Sequence, residues 1–387
     1  MIKMSANIKP YLLNITENEL LELYSRLNNT RLPDQPPGEP WLSGTDLNWF
    51  KTILDYWKKD FDWKKSEAEL NTFPQFKTNI SNIDIHFIYS KGKGTKVLPL
   101  LLMHGWPGSV FEFLDIIPML SDPQKYGINS DVAFTVVAPS LPGFGLSFTP
   151  NQKRFGVEEI ADLLTELMTK KLSYNKFCVQ GGDWGSMVGS RISYKYPENI
   201  IGLHLNMLAL RREYSNKNIF SPEEQDYIDQ IKNWRLEGMG YQAIQGSRPQ
   251  TLAYALSDSP AGLAAWICEK FYEWTDCKGA PENSMSFDKM LANICLYWFS
   301  GAIGSSFWPY YARNHRPWFI PEGKTINIPV GYAEFPKEML RPKKLLAEKT
   351  YINIKRWTKM SKGGHFAALE HPQLLAKEIC SFFSYDI

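Results

Sequence analysis

Gly181-Gly182-Asp183-Trp184-Gly185 sets an acidic side chain between glycines, after an apolar run containing Phe177 and Val179 and before a helical pattern from Met187 to Tyr196. A strand that turns sharply into a helix in this way needs flanking glycines. It pushes its central side chain out at the top of a sheet, with a helix N-terminus behind it that favours negative charge. The central residue is aspartate, where such turns often carry serine. A carboxylate does not serve for ordinary acyl transfer from amides, but it attacks a saturated carbon bearing a good leaving group and forms an alkyl ester. Ser186 lies on the helix beyond the turn, so an ordinary esterase is disfavoured.

A second turn, His104-Gly105-Trp106-Pro107-Gly108-Ser109, follows an apolar strand pattern ending at Met103. Its position fits one backbone donor of an oxyanion hole. Trp106 N–H is the candidate, paired with Trp184 N–H just after the nucleophile. His104 precedes the nucleophile and sits inside this turn, so a structural role is expected for it. With the chain order nucleophile, acid, histidine, the base lies near the C-terminus, where His365 and His371 remain. His365 stands in the loop Gly363-Gly364-His365-Phe366, whereas His371 belongs to a helix start, Glu370-His371-Pro372; His365 is therefore the base. Its partner acid follows the strand pattern Ile326 to Tyr332, where spacing alone leaves both Glu334 and Glu338.

The elements that must hold these groups alternate. Short apolar runs at Ile83 to Tyr89, Val97 to Met103 and Phe134 to Ala138 read as buried strands separated by helical patterns. That alternation predicts an α/β fold, a mostly parallel central sheet with helices on both faces. Beyond Leu210 the pattern is helical and aromatic up to about Trp308, and strands resume at Ile326 to Tyr332 and Tyr351 to Lys355, which predicts a helical cap inserted in the core. At the N-terminal end, Thr16 and Glu19 form a capping-box pattern ahead of a helix from Glu17 to Leu27. Prolines from Leu32 to Pro40 exclude regular structure, and an aromatic-rich helix is expected from Asp46 to about Trp63. The expected division is 1-95, an N-terminal meander with the first strand region; 96-212, the first part of the core; 213-319, the cap; and 320-387, the second part of the core.

Composition narrows the partners. With 43 basic against 41 acidic residues, nothing suggests a nucleic-acid groove or a polybasic membrane patch. Thirteen Trp and 19 Tyr would suit the walls of a pocket for an apolar small molecule. Five scattered cysteines argue against a disulfide framework or structural zinc and for a reducing, cytoplasmic location. Lys3, Asn7, Lys9 and Pro10 interrupt the stretch Met1 to Thr16, so neither a signal peptide nor a membrane anchor is expected. A homodimer is the base-rate expectation.

Taken together, the segments His104 to Ser109, Gly181 to Gly185, Asp258-Ser259-Pro260-Ala261-Gly262-Leu263-Ala264-Ala265-Trp266, Phe335-Pro336-Lys337-Glu338 and Gly363 to Ala368 resemble the microsomal-type epoxide hydrolases, including juvenile-hormone epoxide hydrolases and soluble fungal and bacterial relatives. Leu32-Pro33 and the aromatic helices after it resemble the N-terminal meander of that family. The resemblance implies the α/β-hydrolase fold and addition of water to an apolar epoxide, with no metal or organic cofactor. It places the charge-relay acid on Glu338, with Glu334 as runner-up. It also implies two cap tyrosines that bind the epoxide oxygen. The first matches Tyr241, and the second matches Tyr310 or Tyr311, with the alignment favouring Tyr310. Two rivals remain: a haloalkane dehalogenase, which also uses an Asp-Trp elbow but needs no proton for its halide, and a ligand-binding relative without turnover.

Overall fold

The structure, a computed structural model, describes residues 7–208, 210 and 221–384. The chain enters through β1 (Ile8–Tyr11), α1 (Glu17–Asn28), α2 (Leu47–Lys59) and α3 (Trp63–Asn71). The capping box of α1 is formed: Glu19 N–H donates to Thr16 Oγ1, and Thr16 N–H donates to Glu19 Oε2. The single helix expected from Asp46 to about Trp63 is two helices. Asp46 caps the first through Trp49 N–H, and Asp62 caps the second through Lys64 N–H, a restart that apolar periodicity alone does not reveal. Leu32 to Pro40 contains neither helix nor strand, as the prolines require.

Next come β2 (Gln75–Ile80) and β3 (Ile83–Ser90), a hairpin turned through Ser81 and Asn82 at φ 52° and 64°, the conformation a two-residue loop demands. The first half of the core follows with β4 (Lys96–Met103), α4 (Ile116–Ser121), β5 (Val132–Pro139), α5 (Val157–Glu166), β6 (Phe177–Gly181), α6 (Asp183–Lys195) and β7 (Ile200–Leu205). Among the described residues, seven helices come after it: α7 (Pro222–Glu237), α8 (Gly240–Ser247), α9 (Pro249–Asp258), α10 (Pro260–Trp274), α11 (Phe287–Ser300), α12 (Ile303–Ser306) and α13 (Trp308–His315). The chain closes with β8 (Val330–Glu334), α14 (Lys344–Glu348), β9 (Ile354–Lys359), α15 (Ala367–Glu370) and α16 (Pro372–Ser384).

The nine strands make one sheet in the order β1-β2-β3-β5-β4-β6-β7-β8-β9. Pairing is antiparallel from β1 to β5 and parallel from β4 and β5 through to β9. Every residue of β5 and β6 is buried, as expected of parallel strands covered on both faces. The mostly parallel sheet expected from the alternation is present, and with it the α/β-hydrolase fold that the resemblance implies.

Two strands lie further along the chain than the sequence suggests. Ile326 makes only an isolated bridge to Tyr351, and the strands run Val330–Glu334 and Ile354–Lys359. Tyr351 is fully buried, with its hydroxyl 2.8 Å from Ser190 Oγ on α6, so its apolar signal reports packing and not a strand. The helices before β8 continue past Trp308 to His315. The expected boundary between residues 212 and 213 lies outside the described residues, as do Met1 to Ala6. No helix among the described residues is long and apolar enough to cross a membrane.

The N-terminal elements share the core of the remainder, with Trp57 and Trp63 each 1% exposed within one cluster. They also grip the helices between β7 and β8. Arg26 Nη1 lies 2.7 Å from Asp258 Oδ1, Thr45 Oγ1 donates to Ala265 O at 2.8 Å, and Trp41 stacks on Tyr272 with ring centres 4.0 Å apart.

Candidate active site

Asp183 sits where β6 turns into α6, with φ 45°, a left-handed conformation that a side chain adopts only under strain. Glycine is needed on both sides for packing as well as for the turn. A Cβ on Gly181 would lie 2.4 Å from the Gly185 backbone, and one on Gly185 would lie 2.4 Å from Met103 O at the end of β4. The loop after β4 brings Trp106 N–H within 2.7 Å of Asp183 Oδ1. Close approach is required here too, since a Cβ on Gly105 would stand 2.2 Å from the same oxygen. The N–H groups of Trp106 and Trp184 both act on the carboxylate, so the two expected oxyanion donors meet at one side chain.

His365 hangs in the loop after β9. Its N–H donates to Trp274 O at 2.8 Å, and the indole of Trp274 lies edge-on to its ring at 5.2 Å. His365 Nδ1 lies 2.9 and 3.0 Å from the Glu338 carboxylate oxygens, and Nε2 lies 3.7 Å from Asp183 Oδ2. A carboxylate only accepts, so Nδ1 carries a proton and Nε2 faces the Asp183 carboxylate. Of the two glutamates the sequence left open, Glu338 is the one beside His365. Glu334 instead accepts from Trp357 Nε1 at 2.8 Å.

Tyr241 on α8 and Tyr310 on α13 come together above the elbow, with ring centres 5.7 Å apart. Tyr241 lies parallel to Trp106 at 5.3 Å, and Tyr310 lies edge-on to Trp184 at 4.7 Å, so each phenol packs on one of the two tryptophans expected as oxyanion donors. Tyr311 turns away and stacks on Trp308 and His315 at 4.7 and 3.8 Å. A cavity of about 210 Å³ includes Asp183, Trp184, Tyr241 and Tyr310 in its walls, together with apolar groups such as Trp234 and Leu340. A second cavity, of about 20 Å³, is lined by His104, Glu112, Gln180, Asp183, Asn206 and His365 among others.

Electrostatics follow from burial and proximity. Burial pushes the Asp183 carboxyl up, while the charge of His365 and the two tryptophan N–H groups pull it back. Burial would lower the pKa of His365, but Glu338, Asp183 and Glu112 outweigh it and raise it to about 9. Burial, with Asp183 nearby, holds the phenols of Tyr241 and Tyr310 above the ordinary range, so both stay protonated. His104 is held neutral by burial, its pKa pushed down to about 4. Its Nδ1–H donates to Gly105 O and its Nε2 accepts from Leu141 N–H, a use of both nitrogens that fits the structural role expected of it.

Sequence reasoning missed several supporting groups. Glu370 accepts from Asp276 N–H and Gly364 N–H at 2.8 and 3.0 Å and so clamps the loop that carries His365. The pattern Glu370-His371-Pro372 read only as a helix start. Lys270 Nζ lies 4.7 Å from the Tyr241 ring centre and 5.4 Å from that of Trp274, beneath the same aromatic wall. Glu112 is an acidic residue inside the apolar run Val110-Phe111-Glu112-Phe113-Leu114, a signal legible in the sequence.

Known proteins resemble this chain over nearly its whole length. Residues 8–113 match the family described as "Epoxide hydrolase N terminus", and residues 99–259 match the family described as "alpha/beta hydrolase fold". A protein of Stigmatella aurantiaca is 41% identical over 97% of this chain and 84% of its own length. "Epoxide hydrolase 1" of Oryctolagus cuniculus is 36% identical over 97% of this chain and 88% of its own. The crystal structure of juvenile hormone epoxide hydrolase from the silkworm Bombyx mori superposes with a TM-score of 0.86 at 30% identity, covering 98% of this chain and 95% of that one.

Proposed function

This chain belongs to the epoxide hydrolase family, and from that premise we propose that it adds water to an epoxide to give a vicinal diol through an alkyl ester on Asp183. Trp106 N–H occupies Oδ1 and leaves Oδ2 to attack one ring carbon. As that carbon–oxygen bond forms, the ring bond to the epoxide oxygen breaks, and Tyr241 or Tyr310 supplies the proton the alkoxide needs. In the second half, His365, oriented by Glu338, takes a proton from water, which adds to the Asp183 carbonyl carbon while the N–H groups of Trp106 and Trp184 hold the oxyanion.

The observation that supports this reading best is the meeting of a carboxylate nucleophile and two protonated phenols in one apolar cavity. A departing halide needs no proton, so paired phenols favour an epoxide over a haloalkane. Within this reading, 96-212 and 320-387 carry the nucleophile, base and acid, 213-319 carries the two phenols, and 1-95 packs against 213-319. Five buried free thiols support a reducing, cytoplasmic setting. A homodimer is proposed on base rate alone, and sedimentation would test it. The functional test sets wild type and Asp183→Asn against terminal and internal epoxides beside matched haloalkanes. Diol from wild type only is expected; halide release without diol would move the assignment to a dehalogenase.

A further inference from the structure

Among the described residues, Asp183 is the one that lines both the large cavity and the small one. The large cavity carries the phenols, while the small one lies on the His365 side and has room for about a single water, with several polar groups in its wall. One of these has no part in the mechanism derived so far. Glu112 belongs to the short turn Val110–Phe113, in which Val110, Phe111 and Phe113 point into the core. Its side chain folds back over Gly108, where an added Cβ would stand 1.3 Å from Glu112 Oε1, so a glycine at 108 is what leaves space for the carboxyl. Ser109 N–H is its one backbone donor, which leaves lone pairs free to face the small cavity. Burial raises its carboxyl to about 8, opposed by the charge of His365. Either protonation state keeps an acceptor oxygen.

We propose that Glu112 holds the hydrolytic water of the second half-reaction in this chamber, opposite the side from which the epoxide reaches Asp183. The proposal rests on the Asp183 ester read above. Water bridges His365 Nε2 and the Glu112 carboxyl, with its oxygen facing Asp183 Cγ. The water oxygen bonds to Cγ as its proton passes to His365. The tetrahedral oxyanion then collapses, the Cγ–Oδ2 bond breaks, and the leaving diol oxygen takes the proton back from His365. The diol leaves with Oδ2, and Asp183 is restored with an oxygen from water, whose remaining proton returns to the phenolate left on Tyr241 or Tyr310.

A single-turnover experiment with an aryl epoxide separates ester formation from ester decay. In Glu112→Leu, which removes the acceptor oxygen, the ester should form at the wild-type rate and decay at least about tenfold more slowly, the loss typical of a misplaced proton-transfer partner. Gly108→Ala should show the same split, because its methyl displaces the carboxyl without removing it; it also keeps the test open if Glu112→Leu does not fold. Glu112→Gln, whose amide oxygen still accepts, should recover most of the decay rate. Decay at the wild-type rate in a folded Glu112→Leu or Gly108→Ala overturns the role, as does an equal loss in both steps, which marks a merely structural residue. His365→Gln is the reference. If it accumulates no ester, the underlying Asp183 reading fails, whereas an ester there with normal decay in Glu112→Leu removes the Glu112 proposal alone.

Discussion

The charges of Asp183 and His365 depend on each other, and the chemistry changes one of them. With the carboxylate free, His365 has its pKa raised to about 9, partly by Asp183. Ester formation removes that negative charge, so His365 becomes a weaker base in the intermediate. Ester decay needs neutral His365 and should therefore rise with pH through a midpoint below 9; a midpoint at or above 9 in single-turnover decay would contradict the assignment. Stability carries the opposite sign. A folded pKa above the unfolded value near 6.5 gives stabilisation fully present below that value and lost as pH rises through about 9, which melting temperatures in that range would record. Neighbouring residues should separate cleanly. Tyr310→Phe should slow ester formation by about a hundredfold, whereas Tyr311→Phe, stacked on Trp308 and His315, should leave it unchanged. Glu338→Gln should slow decay, and Glu334→Gln, bonded to Trp357, should not; steady-state and burst kinetics on the four variants decide. Asp183 and His365 were legible because chain order and glycine spacing restrict them. Choosing between Glu334 and Glu338 depends on which way a strand end faces, which spacing leaves open.

At the scale of elements, the elbow is fixed by close packing between β4, β6 and α6. Gly185→Ala, whose Cβ would lie 2.4 Å from Met103 O, should lower the melting temperature and activity together. Thr16→Ala, far from the chemistry, should cost about 1 kcal/mol of stability through the lost cap and leave kcat unchanged, as denaturant titration with parallel assays would show. The capping box, the buried strands β5 and β6 and the buried second half of β4 were readable because their signals are local or strongly apolar. β7, Ile-Ile-Gly-Leu-His-Leu, was overlooked because glycine and histidine break its run, although all but one of its residues are buried. β9 lies at the edge of the sheet, half exposed, with lysine, arginine and threonine among its residues, so its position could not be read from apolar periodicity.

Across the whole molecule, the N-terminal elements hold two of the helices between β7 and β8. Trp41 on Tyr272, Arg26 on Asp258 and Thr45 on Ala265 tie the region before β2 to α9 and α10, and α10 ends at the Trp274 that covers His365. Trp41→Ala should therefore raise amide exchange in α10 and raise KM more than it lowers kcat. Unchanged exchange would show that the strap is dispensable. The composition suggested an aromatic pocket, and the aromatic wall around the elbow agrees with it. The volume and lining of that pocket were beyond reach, since they arise from residues far apart in sequence, among them Asp183, Trp234, Tyr310 and Leu340. The most direct test of the central claim is the intact mass of His365→Gln after mixing with an aryl epoxide, followed by peptide mapping. A persistent adduct of one epoxide on Asp183 is the expected result; diol formed with no adduct, or an adduct on another side chain, would contradict it.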